Sequence, residues 1–286
     1  MTVAIGGDSL GLLRGAVGLL RDLIHDRTGL FYNEDRIEQM ADRLSPLVTN
    51  RGFNSFLDYY YFLKYDETAA GEWDRVMDAL AIPETYFWRE VDQLQALVSE
   101  VIPSLARELT RPIRVWCVPC ASGEEPLTLA MLLDQQGWPH PVTIEASDAS
   151  PAALNLAATG LYRERSFRSL PPHLQDRYFT KEGARWRIDP ALTRRIAWSR
   201  VNLSDLAEVM RRGFADIILC RNLFIYFSES AIRRVVDGFA RATPTPAYLC
   251  VGAAESLLRV TNDFELEQIE DAFMYVKRHK IEKDVV

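Results

Sequence analysis

The sequence predicts an α/β protein with a mostly parallel sheet, preceded by a small all-helical domain, and three observations carry that prediction. Residues 113–133, IRVWCVPCASGEEPLTLAMLL, read as strand, tight loop and helix. Apolar runs at 142–146, 215–220 and 247–251 alternate with helical patterns, as parallel strands joined by crossover helices do. No strand-like alternation of any length precedes Pro83.

In chain order, apolar residues recur on helical spacing at 10–24, 36–48, 53–63 and 73–82, separated by Gly29, Gly52 and the polar stretch around Asp66. Residues 1–82 are therefore expected to form a helical bundle. Pro83 breaks the pattern, and the linker over 83–92 is unusually aromatic: Tyr86, Phe87 and Trp88 stand beside Arg89, which predicts a segment packed across the second domain, 93–286. A helix over 91–109 leads into the first strand (Ile113, Val115, Trp116), followed by the small-residue turn 120–123 and a helix with Leu127, Ala130, Met131 and Leu133 on its apolar side. Such a unit leaves free backbone N–H groups at the carboxyl end of the sheet, where Gly123 is expected to let a ligand approach the main chain. Residues 264–277 alternate like an antiparallel hairpin, and a mostly parallel sheet ending in such a hairpin is the arrangement of Rossmann-like methyltransferases.

Composition excludes several classes. A chain of 286 residues with net charge −7 and no Lys/Arg cluster lacks the footprint of a nucleic-acid binder. Arg14, Arg21 and Asp22 interrupt the longest early apolar stretch, so neither a signal peptide nor membrane insertion is expected, and the expected location is the cytoplasm. Of the four cysteines, Cys117 and Cys120 form a CxxC, but no second CxxC or nearby HxxxH completes a metal set. No metal is expected, and small buried residues are favoured over a redox pair. Cys220 and Cys250 end apolar runs and read as strand residues.

Glu124 and Glu125 place two carboxylates in the first turn of the helix after Gly123, where they would repel a phosphate. The loop also lacks GxGxxG and GxxxxGK[ST]. S-adenosylmethionine, with a sulfonium, an ammonium and a ribose, suits this loop better; the alternative is that the glutamates only cap a helix. Asp148, at the end of the next strand, suits the ribose hydroxyls, or alternatively the N-cap of a helix starting near Pro151. Arg221, Asn222 and Tyr226 follow a buried strand, as expected at a site mouth, against the alternative of a surface Arg and a core Tyr.

Together the segments ETYFWRE, PCASGEEPLTLAMLL, ASDAS, LYRERSFRSLPPHLQDRYF, VNL, DIILCRNLFIYF and VGAAESL, in this order and spacing, resemble the CheR-type chemotaxis receptor methyltransferases over nearly the whole chain. The resemblance implies S-adenosylmethionine-dependent methyl esterification of glutamates on a receptor's cytoplasmic helices. By matched motif it places Thr85 and Arg89 over the cofactor, has Glu125 and Asp148 bind its polar groups, and completes the pocket with Asn202, Leu203, Arg221 and Asn222. Tyr226 is implied at the methyl-transfer point, with Arg89 balancing either the cofactor carboxylate or the incoming glutamate.

The chain departs from the family pattern at three places. Pro83 stands where the family has Asn, removing a side-chain hydrogen bond. Leu127 replaces an aromatic, and a small hairpin subdomain near 178–197 contains only the short FTKEGARWRI, which speaks against tethering to a receptor's C-terminal pentapeptide. In the family a basic helix of the N-terminal domain meets the acidic receptor. The matching segment 33–52 holds Arg36 and Arg43, seven residues apart and hence expected on one face, among Glu34, Asp35, Glu38 and Asp42; a solvated helix with internal ion pairs is the alternative. Three other functions stand beside this one: an inactive S-adenosylmethionine-binding regulator, suggested by Pro83; a small-molecule O-methyltransferase; and a thiol oxidoreductase using Cys117 and Cys120.

Overall fold

A computed structural model describes residues 14–82, 84–212 and 214–278, so Pro83, the first residues of the 10–24 pattern and most of the charged C-terminal end lie outside the described residues. Four helices come first: α1 (Arg14–Thr28), α2 (Ile37–Asn50), α3 (Phe56–Tyr65) and α4 (Ala70–Leu80). Their apolar stripes meet in one cluster that includes Leu20, Ile24, Met40, Leu44, Tyr59 and Val76. Ser55 starts α3 by accepting the Asp58 N–H at 3.1 Å. Arg36 belongs to a separate 3-10 turn, Glu34–Arg36, before α2, so Arg36 and Arg43 do not share one continuous α-helix.

The predicted helix before the first strand is α5 (Val91–Ala96) and α6 (Ile102–Glu108), joined through a π turn at Leu97–Val101. Then come β1 (Ile113–Cys117), α7 (Glu124–Gln135), β2 (Val142–Asp148), α8 (Pro151–Thr159), β3 (Leu161–Tyr162) and α9 (Pro172–Tyr178). They are followed by β4 (Phe179–Glu182), β5 (Arg185–Ile188), α10 (Pro190–Thr193), β6 (Ile196–Arg200), α11 (Leu206–Arg212) and β7 (Ile217–Leu219). The chain continues through α12 (Glu229–Ala242), β8 (Ala247–Cys250), β9 (Glu265–Ile269) and β10 (Ala272–Lys277).

Seven strands form the main sheet in the order β6-β2-β1-β7-β8-β10-β9. β6, β2, β1, β7 and β8 pair in parallel, and β10 runs antiparallel to β8 and β9. The order reverses between β1 and β7, which opens a crevice at the carboxyl ends of these strands. β6 had no counterpart among the predicted strands. As an edge strand it buries only one of its residues, Ile196, and so shows no apolar run. Residues 196–197 accordingly lie in the main sheet, while the small sheet β3-β5-β4 contains the hairpin 179–188.

Candidate active site

A cleft with two compartments opens at the crevice. Its apolar compartment is lined by Met77, Leu80 and Ile82 from the helical domain, and by Asp148, Asn202, Leu203, Asn222 and Tyr226 from the sheet domain. Its polar compartment is lined by Thr85, Arg89, Glu125, Arg221 and Asn222. Ile82, Pro119, Ala121 and Asn222 line both, so the two form one elongated space. All nine residues implied at the cofactor or at methyl transfer thus meet on one cleft.

The aromatic linker is held as its composition predicted. Phe87 is fully buried, with its ring 4.7 Å from Tyr162, 5.5 Å from Phe167 and 5.0 Å from Phe179. Its N–H donates to the Ser166 carbonyl at 2.9 Å. This anchorage lays 84–90 across the polar compartment, where Arg89 Nη1 donates to the Glu84 carbonyl at 2.6 Å and its guanidinium lies 5.6 Å from the Tyr86 ring centre.

Arg221 pins the linker from below. Its side chain is 1% exposed. Nη1 donates to Glu125 Oε2 at 2.9 Å, and Nη2 donates to the carbonyls of Arg89 at 2.9 Å and Glu90 at 3.0 Å. A buried cation needs such partners, because leaving water costs several kcal/mol that only good geometry offsets. Burial pushes the Glu125 carboxyl above the ordinary glutamate value, while Arg221 pulls it back. Glu125 Oε1 is buried and has no hydrogen-bond partner among the described residues, and Glu125 lines the polar compartment. An ammonium or hydroxyl ligand meets that need, so the site fits S-adenosylmethionine on its own chemistry.

The two adjacent glutamates have different tasks. Glu124, 2% exposed, accepts Ser122 Oγ at 2.7 Å and Ser166 Oγ at 3.1 Å, so it ties the start of α7 to the 3-10 turn Glu164–Phe167. Only Glu125 lines the cleft.

Two expectations are corrected. Gly123 does not admit a ligand: it lies outside the cleft lining, and a Cβ there would stand 2.8 Å from Trp198 Cη2 and 3.1 Å from the Ala157 Cβ. Its glycine is required by that packing and by φ of 93°, while Pro119 and Ala121 are the loop residues that line the cleft. Asp148 does not cap α8, because Ser150 does, accepting the Ala153 N–H at 3.1 Å. Asp148 accepts Ala121 N–H and Ser150 N–H, each at 2.8 Å, and is 9% exposed. Burial pushes its carboxyl up against these two hydrogen bonds.

The helical domain closes the apolar compartment. Asp78 Oδ1 accepts Ser150 Oγ at 2.6 Å, Asn202 Nδ2 donates to the Arg27 carbonyl at 2.8 Å, and Phe31 N–H donates to the Tyr226 carbonyl at 2.8 Å. Arg36 lies with its guanidinium 5.9 Å from the Tyr226 ring centre. Arg43 is turned elsewhere, donating to the Leu80 carbonyl at 3.1 Å and the Ala81 carbonyl at 3.4 Å at the end of α4. Met77, Leu80 and Ile82 had no sequence signal as site residues; their helical spacing marks them only as apolar. The four cysteines are free and buried, and burial pushes the Cys117 and Cys120 thiols well up, which disfavours the thiolates an oxidoreductase needs.

A parallel sheet with a switch point, an acid ending β2 and an antiparallel β10 is the arrangement of Rossmann-like methyltransferases, and residues 83–273 match the family described as CheR methyltransferase, SAM binding domain, which makes S-adenosylmethionine the cofactor. Residues 17–81 match CheR methyltransferase, all-alpha domain. The chain is 33% identical over 273 residues to chemotaxis protein methyltransferase 2 of Vibrio cholerae serotype O1, covering 92% of this chain and 93% of that one. It is 27% identical to a chemotaxis protein methyltransferase of Borreliella burgdorferi over 87% of this chain and 90% of that one. It is also 30% identical to the probable biofilm formation methyltransferase WspC of Pseudomonas putida, over 76% of this chain and 51% of that one. The chain belongs to the CheR methyltransferase family. Among the described residues no helix is long and apolar enough to cross a membrane.

Proposed function

We propose that the protein methylates glutamate side chains on the cytoplasmic helices of a chemoreceptor-like signalling protein, giving methyl esters. The observation that carries this reading is the contact of Arg36, from the expected docking segment, with the ring of Tyr226 at the cleft mouth, which sets a cation for acidic helices beside the transfer point. When bound, S-adenosylmethionine supplies a methyl carbon on a positively charged sulfur, and its passage to a carboxylate oxygen leaves a neutral thioether and a neutral ester.

The chain's residues then have to bind, align and exclude water. An exposed glutamate titrates near a pH of about 4.3, so the acceptor is already ionised at neutral pH and no general base is required. Glu125 Oε1 receives the cofactor ammonium, Asp148 the ribose hydroxyls, and Thr85, Asn202, Leu203 and Asn222 complete the walls. Arg89 and Tyr226 hold the acceptor carboxylate in line with the methyl group, and the rate comes from proximity and orientation. The helical domain, 1–82, docks the receptor, 83–92 covers the cofactor, and 93–286 performs transfer. The short β4–β5 turn supports recognition of receptor helices without a tethered pentapeptide.

The test is transfer of labelled methyl from S-adenosylmethionine to a receptor cytoplasmic fragment, compared with a fragment whose acceptor glutamates are glutamines. Base-labile label on the first fragment only is expected. Binding of S-adenosylhomocysteine without any such transfer would support the inactive regulator in its place.

A further inference from the structure

We infer that Glu255 is a positioning residue for methyl transfer, clamping the loop that carries Asn222 and Tyr226; this rests on the proposed methylation of a receptor glutamate. Glu255 lies in the turn after β8, the strand paired with β7, and its carboxylate collects four backbone N–H groups. Oε2 accepts Asn222 N–H at 2.8 Å and Gly252 N–H at 2.6 Å. Oε1 accepts Phe224 N–H at 2.6 Å and Ile225 N–H at 3.3 Å. Hydrogen bonds to an ionised acceptor are among the stronger ones a protein makes.

The loop needs this clamp. Asn222 sits in the left-handed region at φ 59°, and the next residues turn through the 3-10 segment Phe224–Tyr226. Neither conformation is continued by a helix or strand whose ladder would hold it. Glu255 supplies the acceptors a ladder would supply, and the fit is close on the other side as well: a Cβ at Gly252 would stand 2.4 Å from Asn222 Nδ2. Glu90 adds a second tie, accepting Asn222 Nδ2 at 3.2 Å through one oxygen and Ala253 N–H at 3.0 Å through the other, so linker and clamp are joined. Glu255 itself lines neither compartment of the cleft. It acts through Asn222 and Tyr226 and touches neither substrate.

Glu255→Gln keeps the shape and replaces one of the two acceptor oxygens with an NH2 donor. In either amide orientation an NH2 group faces two backbone donors, so part of the clamp turns from attractive to repulsive. Glu125 and Asp148 hang from other elements and stay in place. At saturating S-adenosylmethionine and receptor fragment, kcat is expected to fall at least about tenfold, and because Asn222 also lines the cofactor pocket the Kd of S-adenosylhomocysteine is expected to rise by a clearly smaller factor. Amide hydrogen exchange of Asn222, Gly252, Phe224 and Ile225 is expected to accelerate in the variant while that of β1 and β2 does not. Wild-type kcat with wild-type exchange at those four amides overturns the assignment. So does a loss of kcat matched by an equal loss of cofactor affinity and of folded fraction, which marks a general structural role. If the wild-type enzyme itself transfers no methyl to the fragment, the proposed function fails, and exchange alone decides the clamp: unchanged rates at the four amides refute it.

Discussion

Arg221 Nη1 lies 2.9 Å from Glu125 Oε2 at the floor of the cleft, and the same guanidinium holds the carbonyls of Arg89 and Glu90. One buried cation therefore fixes both the acid turned toward the cofactor and the linker above it. Arg221→Leu leaves Glu125 without its hydrogen-bonded cation, while Glu90 keeps Arg89 at 3.8 Å, and breaking a buried pair from one side costs about 3–5 kcal/mol. Thermal unfolding should shift strongly downward, together with weaker S-adenosylhomocysteine binding in calorimetry. An unchanged melting temperature would show that water replaces the guanidinium without loss.

Cofactor affinity should depend on pH through Glu125. Burial raises its folded-state pKa above 4.5, so on acidification it gains a proton earlier than an ordinary glutamate. The proton removes the charge that attracts an ammonium, so the Kd of S-adenosylhomocysteine should rise as pH falls, beginning above 4.5. Glu125→Gln should bind weakly and keep only the smaller dependence that Asp148, whose carboxyl burial also raises, contributes. A wild-type Kd that is flat down to the region of ordinary carboxylates excludes the assignment.

Asp148→Asn should weaken S-adenosylhomocysteine binding at least about tenfold, since hydrogen bonds to a charged acceptor contribute about 1.5–3 kcal/mol each. Asn disturbs the fold less than Ala, since its oxygen keeps one of the two backbone N–H groups that Asp148 holds while its NH2 opposes the other. Asp148→Ala would also orphan the Ala121 and Ser150 N–H groups, at about 1–3 kcal/mol each, and so mix folding with binding. Calorimetry on a variant that melts normally separates the two.

Arg36 and Arg43 should behave differently. Arg36→Glu places a like charge beside the acidic receptor and is expected to raise KM about tenfold, roughly 1.4 kcal/mol, with cofactor binding unchanged. Added salt should raise the wild-type KM in the same direction. Arg43→Glu should instead lower the melting temperature, because it removes donors from the end of α4 and puts a carboxylate against the Leu80 carbonyl. A wild-type KM for the Arg36 variant would move the docking surface elsewhere.

Gly123→Ala should destabilise without touching the cleft. A left-handed L-residue costs about 1–2 kcal/mol, and a Cβ against Trp198 adds about 1–3 kcal/mol of overpacking. Denaturant unfolding measures the sum, and an unaltered midpoint would mean that the loop relaxes freely.

The alternation of helical and apolar segments was enough to determine the fold class, because a buried parallel strand and an amphipathic helix each leave a local period. The same locality explains why the linker aromatics and the acid ending β2 were legible. β6 was not, since an edge strand buries too little to show a run. Residue pattern did not separate Glu124 from Glu125, neighbours whose side chains leave the helix in different directions; only the family motif singled out Glu125 for the cofactor. It also misjudged Gly123, whose constraint is Trp198, a residue far along the chain. What only the tertiary structure decided is the wall made by Met77, Leu80 and Ile82, the ties of Arg221 to the linker, and the four N–H groups gathered by Glu255. These depend on which distant segments meet in space, and the energy of such contacts leaves no local period in the chain.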